Sequence, residues 1–152
     1  MVGEPDQSDI IDAVVTELKL DDTSLNVYMG LTGEERIGAE DIGVSLGHSK
    51  SFFFDQIERN PKTLEYLHRL GFSGKQLWFR VTKQEEGKIT VFLVKTVSIA
   101  DFSTVMIYEA FFKRNLKAYE LVRVFTQIGI QQCVENVFTV LLVKPSDLPI
   151  PP

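Results

Sequence analysis

The feature that most constrains this chain is the close spacing of helix-ending signals between residues 39 and 71. Gly47 and Gly71 each follow a short stretch of helical periodicity, and glycine favours the left-handed backbone in which many helices end. Asn60 and Pro61 mark a helix start, because asparagine caps a helix and proline is tolerated at its first position. These signals agree with one another and divide the segment into short helices. The predicted helices cover residues 39–46, 49–59 and 61–70.

The first two of these helices have the pattern of a helix-turn-helix unit. Gly43 supplies a small residue where the second helix would cross the first, and Gly47 supplies the turn four residues later. Phe53 and Ile57 would anchor the second helix, with Ser49 as its N-cap. The predicted phosphate contacts are Lys50, Arg59, Lys62, Arg69 and Lys75. The remaining predicted DNA-binding residues are Ser49 and, near base edges, Ser51 and Gln56.

On both sides of this helical block, apolar and polar residues alternate, which is typical of strands. Turn residues at 21–22 and 85–87 would join the longer strands into two hairpins. The strand patterns lie at residues 10–20, 24–30, 36–37, 76–84 and 88–94.

Two further helices are predicted after the second hairpin. Ser98 begins a helix that ends near Asn115, and a longer helix follows at 116–134. The segment FTVLLV at 138–143 is predicted to be a terminal strand. The predicted fold is therefore α+β, with β-hairpins and about five helices, including the helix-turn-helix-like unit. The predicted organisation is a flexible N-terminus at 1–9, a hairpin plus helix-turn-helix-like subdomain at 10–75, a hairpin plus two-helix subdomain at 76–143, and a proline-rich tail at 144–152.

The charge distribution leaves two classes of partner open. The net charge is −5, but residues 1–45 carry 11 acidic and 2 basic groups, whereas residues 46–125 carry 13 basic and 8 acidic groups. A DNA-binding protein is expected to be basic, so the total argues against that class and the middle of the chain does not. The acidic first 45 residues favour a protein partner instead, because they would repel phosphate or mimic it.

Patterns that indicate an enzyme or a bound cofactor are absent from the sequence. There is no glycine-rich nucleotide-binding motif, and no serine has the surroundings of a nucleophile elbow. Cys133, His48 and His68 do not have the spacing of a zinc site. We therefore expect no catalytic residue, no cofactor and no metal. With no apolar run long enough for a bilayer and no cleavable signal pattern, we expect a cytoplasmic protein.

Two segments resemble the N-terminal module of the BRO and phage-antirepressor families, and together they span roughly residues 13 to 130. In the first, Gly43 and His48 replace the alanine and tyrosine usual in that module. The matching residues are Ile37, Asp41, Ile42, Gly43, Leu46, Gly47 and His48. In the second segment they are Ser98, Phe102, Arg114, Asn115, Lys117, Ala118 and Phe125. The order of motifs is also similar to that of uncharacterised cyanobacterial proteins, a likeness that carries no function.

The resemblance implies a regulatory protein of phage or mobile-element type. Its partner would be double-stranded DNA, or alternatively a regulator protein that an antirepressor-like module binds without touching DNA. The 116–134 helix is apolar on more than one face, which predicts a homodimer. No membrane partner is expected.

Overall fold

The computed structural model describes residues 9–20 and 23–142, and the chain is α+β as predicted. The strands are β1 (Ile10–Leu20), β2 (Thr23–Gly30), β3 (Glu35–Gly38), β4 (Gln76–Glu85) and β5 (Lys88–Ser98). The α-helices are α1 (Ala39–Ser45), α2 (Pro61–Arg69), α3 (Ile99–Phe111) and α4 (Leu116–Leu142), and a π-helical turn covers Phe53–Glu58. Apart from Asp9, the predicted flexible N-terminus lies outside the described residues, as do the turn at 21–22 and the tail at 144–152.

The five strands form one closed sheet in the order β1-β2-β3-β5-β4, with β4 returning to β1. Both predicted hairpins, β1–β2 and β4–β5, are confirmed as antiparallel pairs. The closing pair, β1 with β4, is parallel and aligns Ile10 with Trp78. Strands from before and after the helical block therefore share a single sheet.

Two apolar clusters fill the molecule. Inside the closed sheet, Phe79 and Val81 are fully buried with Ala13 and Tyr28, because residues two apart on a strand face the same side. The larger cluster lies between the sheet and the helices. Its most deeply buried members include Ile37, Ile42, Phe53, Leu67 and Val105.

The predicted helix starts are confirmed where a side chain caps the helix. Asn60 Oδ1 accepts a hydrogen bond of 3.2 Å from the Thr63 N–H at the start of α2. Ser98 Oγ accepts one of 3.0 Å from the Asp101 N–H at the start of α3. At the end of α2, Leu70 is 45% exposed.

The second helix of the predicted helix-turn-helix unit differs from expectation. Instead of an α-helix over 49–59 capped by Ser49, the chain forms the six-residue π-helical turn, in which the Arg59 N–H donates to the carbonyl of Phe54. Ser49 Oγ bonds to Ser51 Oγ at 3.1 Å and caps nothing. Phe52 and Phe53 are both buried. We attribute the wider turn to these rings, since a regular α-helix directs neighbouring side chains to different sides.

The strand predicted at 138–143 is wrong, because α4 continues as a helix to Leu142. The apolar run there lacks period-two alternation, and no proline interrupts residues 116–142. In the described part of the chain, no helix is long and apolar enough to cross a membrane.

Candidate functional site

A cavity of about 740 Å³ opens between the turn after α1, the π-helical turn and the corner that joins α3 to α4. The two segments that carry the family resemblance meet here. Asn115 Nδ2 donates a hydrogen bond of 2.8 Å to the carbonyl of Leu46. Gly47, at a φ of +84°, leaves room for Lys117, whose Cδ would lie 3.5 Å from a Cβ at that position.

A buried carboxylate holds the histidine on the cavity wall. His48 Nε2 lies 2.6 Å from Glu109 Oε1, and Asn115 Nδ2 donates to the same oxygen at 3.0 Å. Glu109 is 5% exposed, and burying a carboxylate is costly unless it is paired and hydrogen-bonded. Glu109 therefore fixes the position of the imidazole.

The ring of His48 is also fixed on one face. It stacks on Phe52 with the ring centroids 4.0 Å apart and the planes 3° from parallel. The His48 side chain is 37% exposed and lines the cavity, so part of the ring that Phe52 does not cover is accessible. The result is a rigid, flat and accessible ring in the cavity wall.

Four exposed cations surround the cavity and an adjoining groove. Lys113 and Lys117 line the cavity, Arg114 stands between them at the α3–α4 corner, and Lys62 lines the groove beside Lys113. Among the residues that the structure describes, no carboxylate oxygen lies within 4.0 Å of these four charges. We call the four residues the basic corner.

Aromatic rings line the groove next to the basic corner. Tyr66 contacts Phe112 edge-on at a centroid distance of 4.9 Å and Tyr108 at 5.6 Å. Phe112 is 56% exposed. In such a groove the cations can bind phosphates and the aromatic rings can stack on bases.

The cavity wall also carries acidic groups, but each of them has a basic partner. Glu109 contacts His48, and Asp55 lies 4.0 Å from the Arg59 guanidinium. Among the described residues, no group of three or more His, Cys, Asp or Glu side chains is arranged to hold a metal ion.

All eight predicted DNA-binding residues are exposed, but the structure brings only some of them together. Ser49 and Gln56 line the cavity, and Lys62 belongs to the basic corner. Lys50 and Ser51 line a separate groove against β5.

The other predicted phosphate contacts are occupied or distant. Arg59 lies near Asp55, and Arg69 forms an ion pair of 2.7 Å with Glu65. Lys75 lies in the loop before β4 and lines none of the cavities described here.

Two local features predicted for the helix-turn-helix-like unit, the small residue at the crossing and the buried anchors, are confirmed, whereas the unit as a whole and its DNA-reading role stay predictions. A Cβ on Gly43 would lie 2.2 Å from the carbonyl oxygen of Ser49, so the crossing needs glycine. Phe53 and Ile57 are each 1% exposed, as expected of anchors.

Residues 48–51, at the start of the predicted second helix, are exposed. Within the described chain, the backbone N–H groups of Ser49, Lys50 and Ser51 donate no hydrogen bond.

The predicted site residues did not include Lys113, Glu109 or Asn115. Two signals were present in the sequence. An acidic residue occupies a core position of the α3 stripe, and three cations fall within the five residues 113–117, between two helical patterns. A buried acid of this kind indicates a partner, but it does not say which residue that partner is.

No protein-family model matches this chain, and comparison with curated proteins and with solved structures also gave no match.

Proposed function

We propose that this chain is a DNA-binding regulatory protein of phage or mobile-element type, and that it contacts phosphates through the basic corner. The observation that carries the proposal is the set of four exposed cations, Lys62, Lys113, Arg114 and Lys117, without a carboxylate within 4.0 Å in the described chain. Phosphate contacts from lysine and arginine supply most of the affinity of proteins for DNA.

The basic corner differs from three exposed arginines of the helical layer. Arg69 and Arg123 form ion pairs with carboxylates of their own helices, and Arg59 lies at 4.0 Å from one. A paired cation has little charge left for a phosphate. The acidic residues of 1–45 repel DNA at long range, but salt screens this repulsion beyond about 8 Å at physiological ionic strength.

The proposal is tested with a double substitution, Lys113→Gln with Lys117→Gln, and a fluorescently labelled DNA duplex. We expect affinity at low salt to fall by roughly tenfold or more, since each lost phosphate contact removes released counterions. The control is Lys83→Gln with Lys88→Gln on the β4–β5 hairpin, which removes the same formal charge outside the corner, although Lys83 is paired with Glu85 at 2.9 Å. Equal affinity losses in the two variants, or none in either, would contradict a contact at the corner.

We also propose that the protein acts as a homodimer through the distal part of α4. Five of the six described apolar residues of this helix that are 45% to 73% exposed lie along one face, and the sixth, Ile128, lies on the opposite side. The five are Leu116, Tyr119, Ile130, Val134 and Val137. Their separations of 3, 11, 4 and 3 residues are each close to a whole number of helical turns. The opposite face carries the buried residues Ala118 and Leu121.

The chemistry of this face suits a second copy of the chain. Glu135 is the only charged residue from 124 to 142, so two such faces can pair without like charges opposing each other. A helix that lies on a membrane normally carries lysine or arginine on its polar face, and this segment has neither.

The second candidate function is an antirepressor-like module that binds another regulator instead of DNA. Phe111 and Phe112, each 56% exposed at the end of α3, favour it, because large exposed rings are typical of protein contacts. A variant with Phe111→Ser and Phe112→Ser separates the candidates. If the parent protein shows no DNA affinity and regulation in cells is lost in this variant, the protein partner is favoured; if DNA affinity is present and regulation in cells persists in the variant, the DNA-binding candidate stands.

A further inference from the structure

We infer that the cavity beside the basic corner accepts one unpaired nucleobase, stacked on the open face of His48, with its phosphate held by Lys113 and Lys117. This inference rests on the proposed nucleic-acid contact, and it names the group that the cavity would bind. The shared chemistry is a planar heteroaromatic ring that carries a phosphate. Its source is either a base of an unpaired strand or a free nucleotide.

The first requirement of a base site is a flat surface that does not move when the base arrives. His48 meets it, because Phe52 covers one ring face at 4.0 Å and Glu109 holds Nε2 at 2.6 Å. An aromatic ring held in this way loses little conformational entropy on binding. Stacking tolerates any base, since every base has a π-face.

The second requirement is a polar group that is free to meet the edge of the base. Asn60 and Asn115 line the cavity, but their side chains are used in caps and in contacts within the chain. Gln56 also lines the cavity, is exposed, and forms no side-chain hydrogen bond with any described residue. Its amide supplies both a donor and an acceptor, which is what base edges present.

The third requirement is positive charge on the cavity wall that is not itself paired with a carboxylate, since Glu109 and Asp55 also line this cavity. Lys113 and Lys117 line the cavity and have no carboxylate within 4.0 Å among the described residues. The carboxylate of Glu109 is shared between His48 and Asn115. The volume, about 740 Å³, lies within the range typical of small-ligand sites.

The experiment compares three labelled probes by fluorescence anisotropy: a 20-base-pair duplex, one of its strands alone, and that strand with several abasic positions. We expect His48→Ala to weaken single-strand binding by roughly tenfold, the effect of losing one stacked base, while duplex binding changes by less than about twofold. Gln56→Ala, which leaves the core intact, should weaken the same probe. His48→Tyr keeps a flat ring and should restore most of the affinity.

The outcomes separate this inference from the proposed function. If the duplex binds and neither His48→Ala nor Gln56→Ala alters single-strand affinity, the base site is overturned and the basic corner stands. If none of the three probes binds at low salt, the proposed function fails and the base site on a strand fails with it.

A titration with adenosine monophosphate, followed by the NMR signal of the Gln56 side-chain amide, distinguishes the two sources. A saturable shift that His48→Ala abolishes would assign the cavity to a free nucleotide. A signal that does not move, together with single-strand binding that depends on His48, would assign it to a base within a strand.

Discussion

At the scale of single residues, Gly43 decides whether α1 and the turn that follows it can pack together. A Cβ there would meet the Ser49 carbonyl oxygen at 2.2 Å and the Cβ of Phe52 at 3.0 Å, and a backbone oxygen cannot move cheaply. We expect Gly43→Ala to reduce the free energy of unfolding by about 1–3 kcal/mol. Gly129→Ala is the control, since no atom of a described residue lies within 4 Å of its added Cβ and a helix-interior alanine should stabilise by about 0.5–1 kcal/mol. Urea unfolding measures the change in the free energy of unfolding for both variants. Equal destabilisation of the two would contradict the close packing at Gly43.

Asp41 links the stability of α1 to pH. Burial raises the pKa of its carboxyl, against a hydrogen bond of 3.1 Å from the Tyr28 hydroxyl that lowers it. Since the folded-state pKa exceeds the unfolded one, the contribution of this group is full below the unfolded pKa and is lost as the pH rises through the folded pKa.

The substitution Asp41→Asn tests that sign. The asparagine keeps an acceptor for Tyr28 but does not ionise, so we expect a higher Tm than the parent at about pH 7 and a smaller loss of Tm from about pH 4 upward. Glu135→Gln, which removes an exposed acid from α4, should leave the pH profile unchanged. A lower Tm for Asp41→Asn at neutral pH would contradict the shift.

Residues whose role depends on near neighbours could be predicted from the sequence. The roles of Gly43, Gly47 and Asn60 involve residues a few positions away in the sequence. These roles follow from the small size and backbone freedom of glycine and from the capping side chain of asparagine. Glu109 could not be assigned a role in the same way, because its partner His48 is 61 residues away and only the fold brings them together.

At the scale of elements, α4 is the helix whose length the sequence pattern underestimates. Its 27 residues make a rod of about 40 Å. The first third packs on the core through Ala118 and Leu121, whereas residues 126–137 are all exposed. Sequence periodicity found residues 116–134 of this helix. It missed the last eight residues because FTVLLV is a short, continuous apolar run, and such a run is as typical of a buried strand as of a helix.

The distal face of α4 is tested by Ile130→Glu. In a dimer built on this face the new carboxylate would be buried against its counterpart, so we expect the mass at micromolar concentration to fall from about 34 kDa, twice the chain mass of 17.2 kDa, to that of one chain. The matched control is Gln132→Glu, which adds the same charge on the opposite side of the helix. Light scattering measures both masses. A parent protein that already runs as a single chain would end the proposal of a dimer.

At the scale of the whole molecule, the closed sheet is the part that sequence patterns could not assemble. Alternation identified the strands and short turns identified the hairpins, because both signals are local. The parallel pair between β1 and β4 joins residues 68 positions apart, at Ile10 and Trp78. No local turn signal in the sequence predicts such a pairing. Because the strands before and after the helical block share one sheet, all the helices belong to one layer. The α3–α4 corner then lies beside the turn after α1, and the two together line the cavity.

The charge of the whole molecule leads to a prediction about salt. The chain carries −5 overall, so DNA affinity has to come from local contacts, and the basic corner offers four per protomer. Each neutralised phosphate contributes about −0.9 to the slope of log K against log salt, so four contacts predict a slope of about −3.6 for one protomer and about twice that for a dimer. Removing two of the four charges, with Lys113→Gln and Lys117→Gln, should make the slope per protomer shallower by about 1.8. The Lys83→Gln and Lys88→Gln variant should keep the parent slope, and duplex affinities measured from low to physiological salt give all three. A slope near zero for the parent would mean that phosphates are not the partner of the basic corner, and the protein-binding alternative would then be favoured.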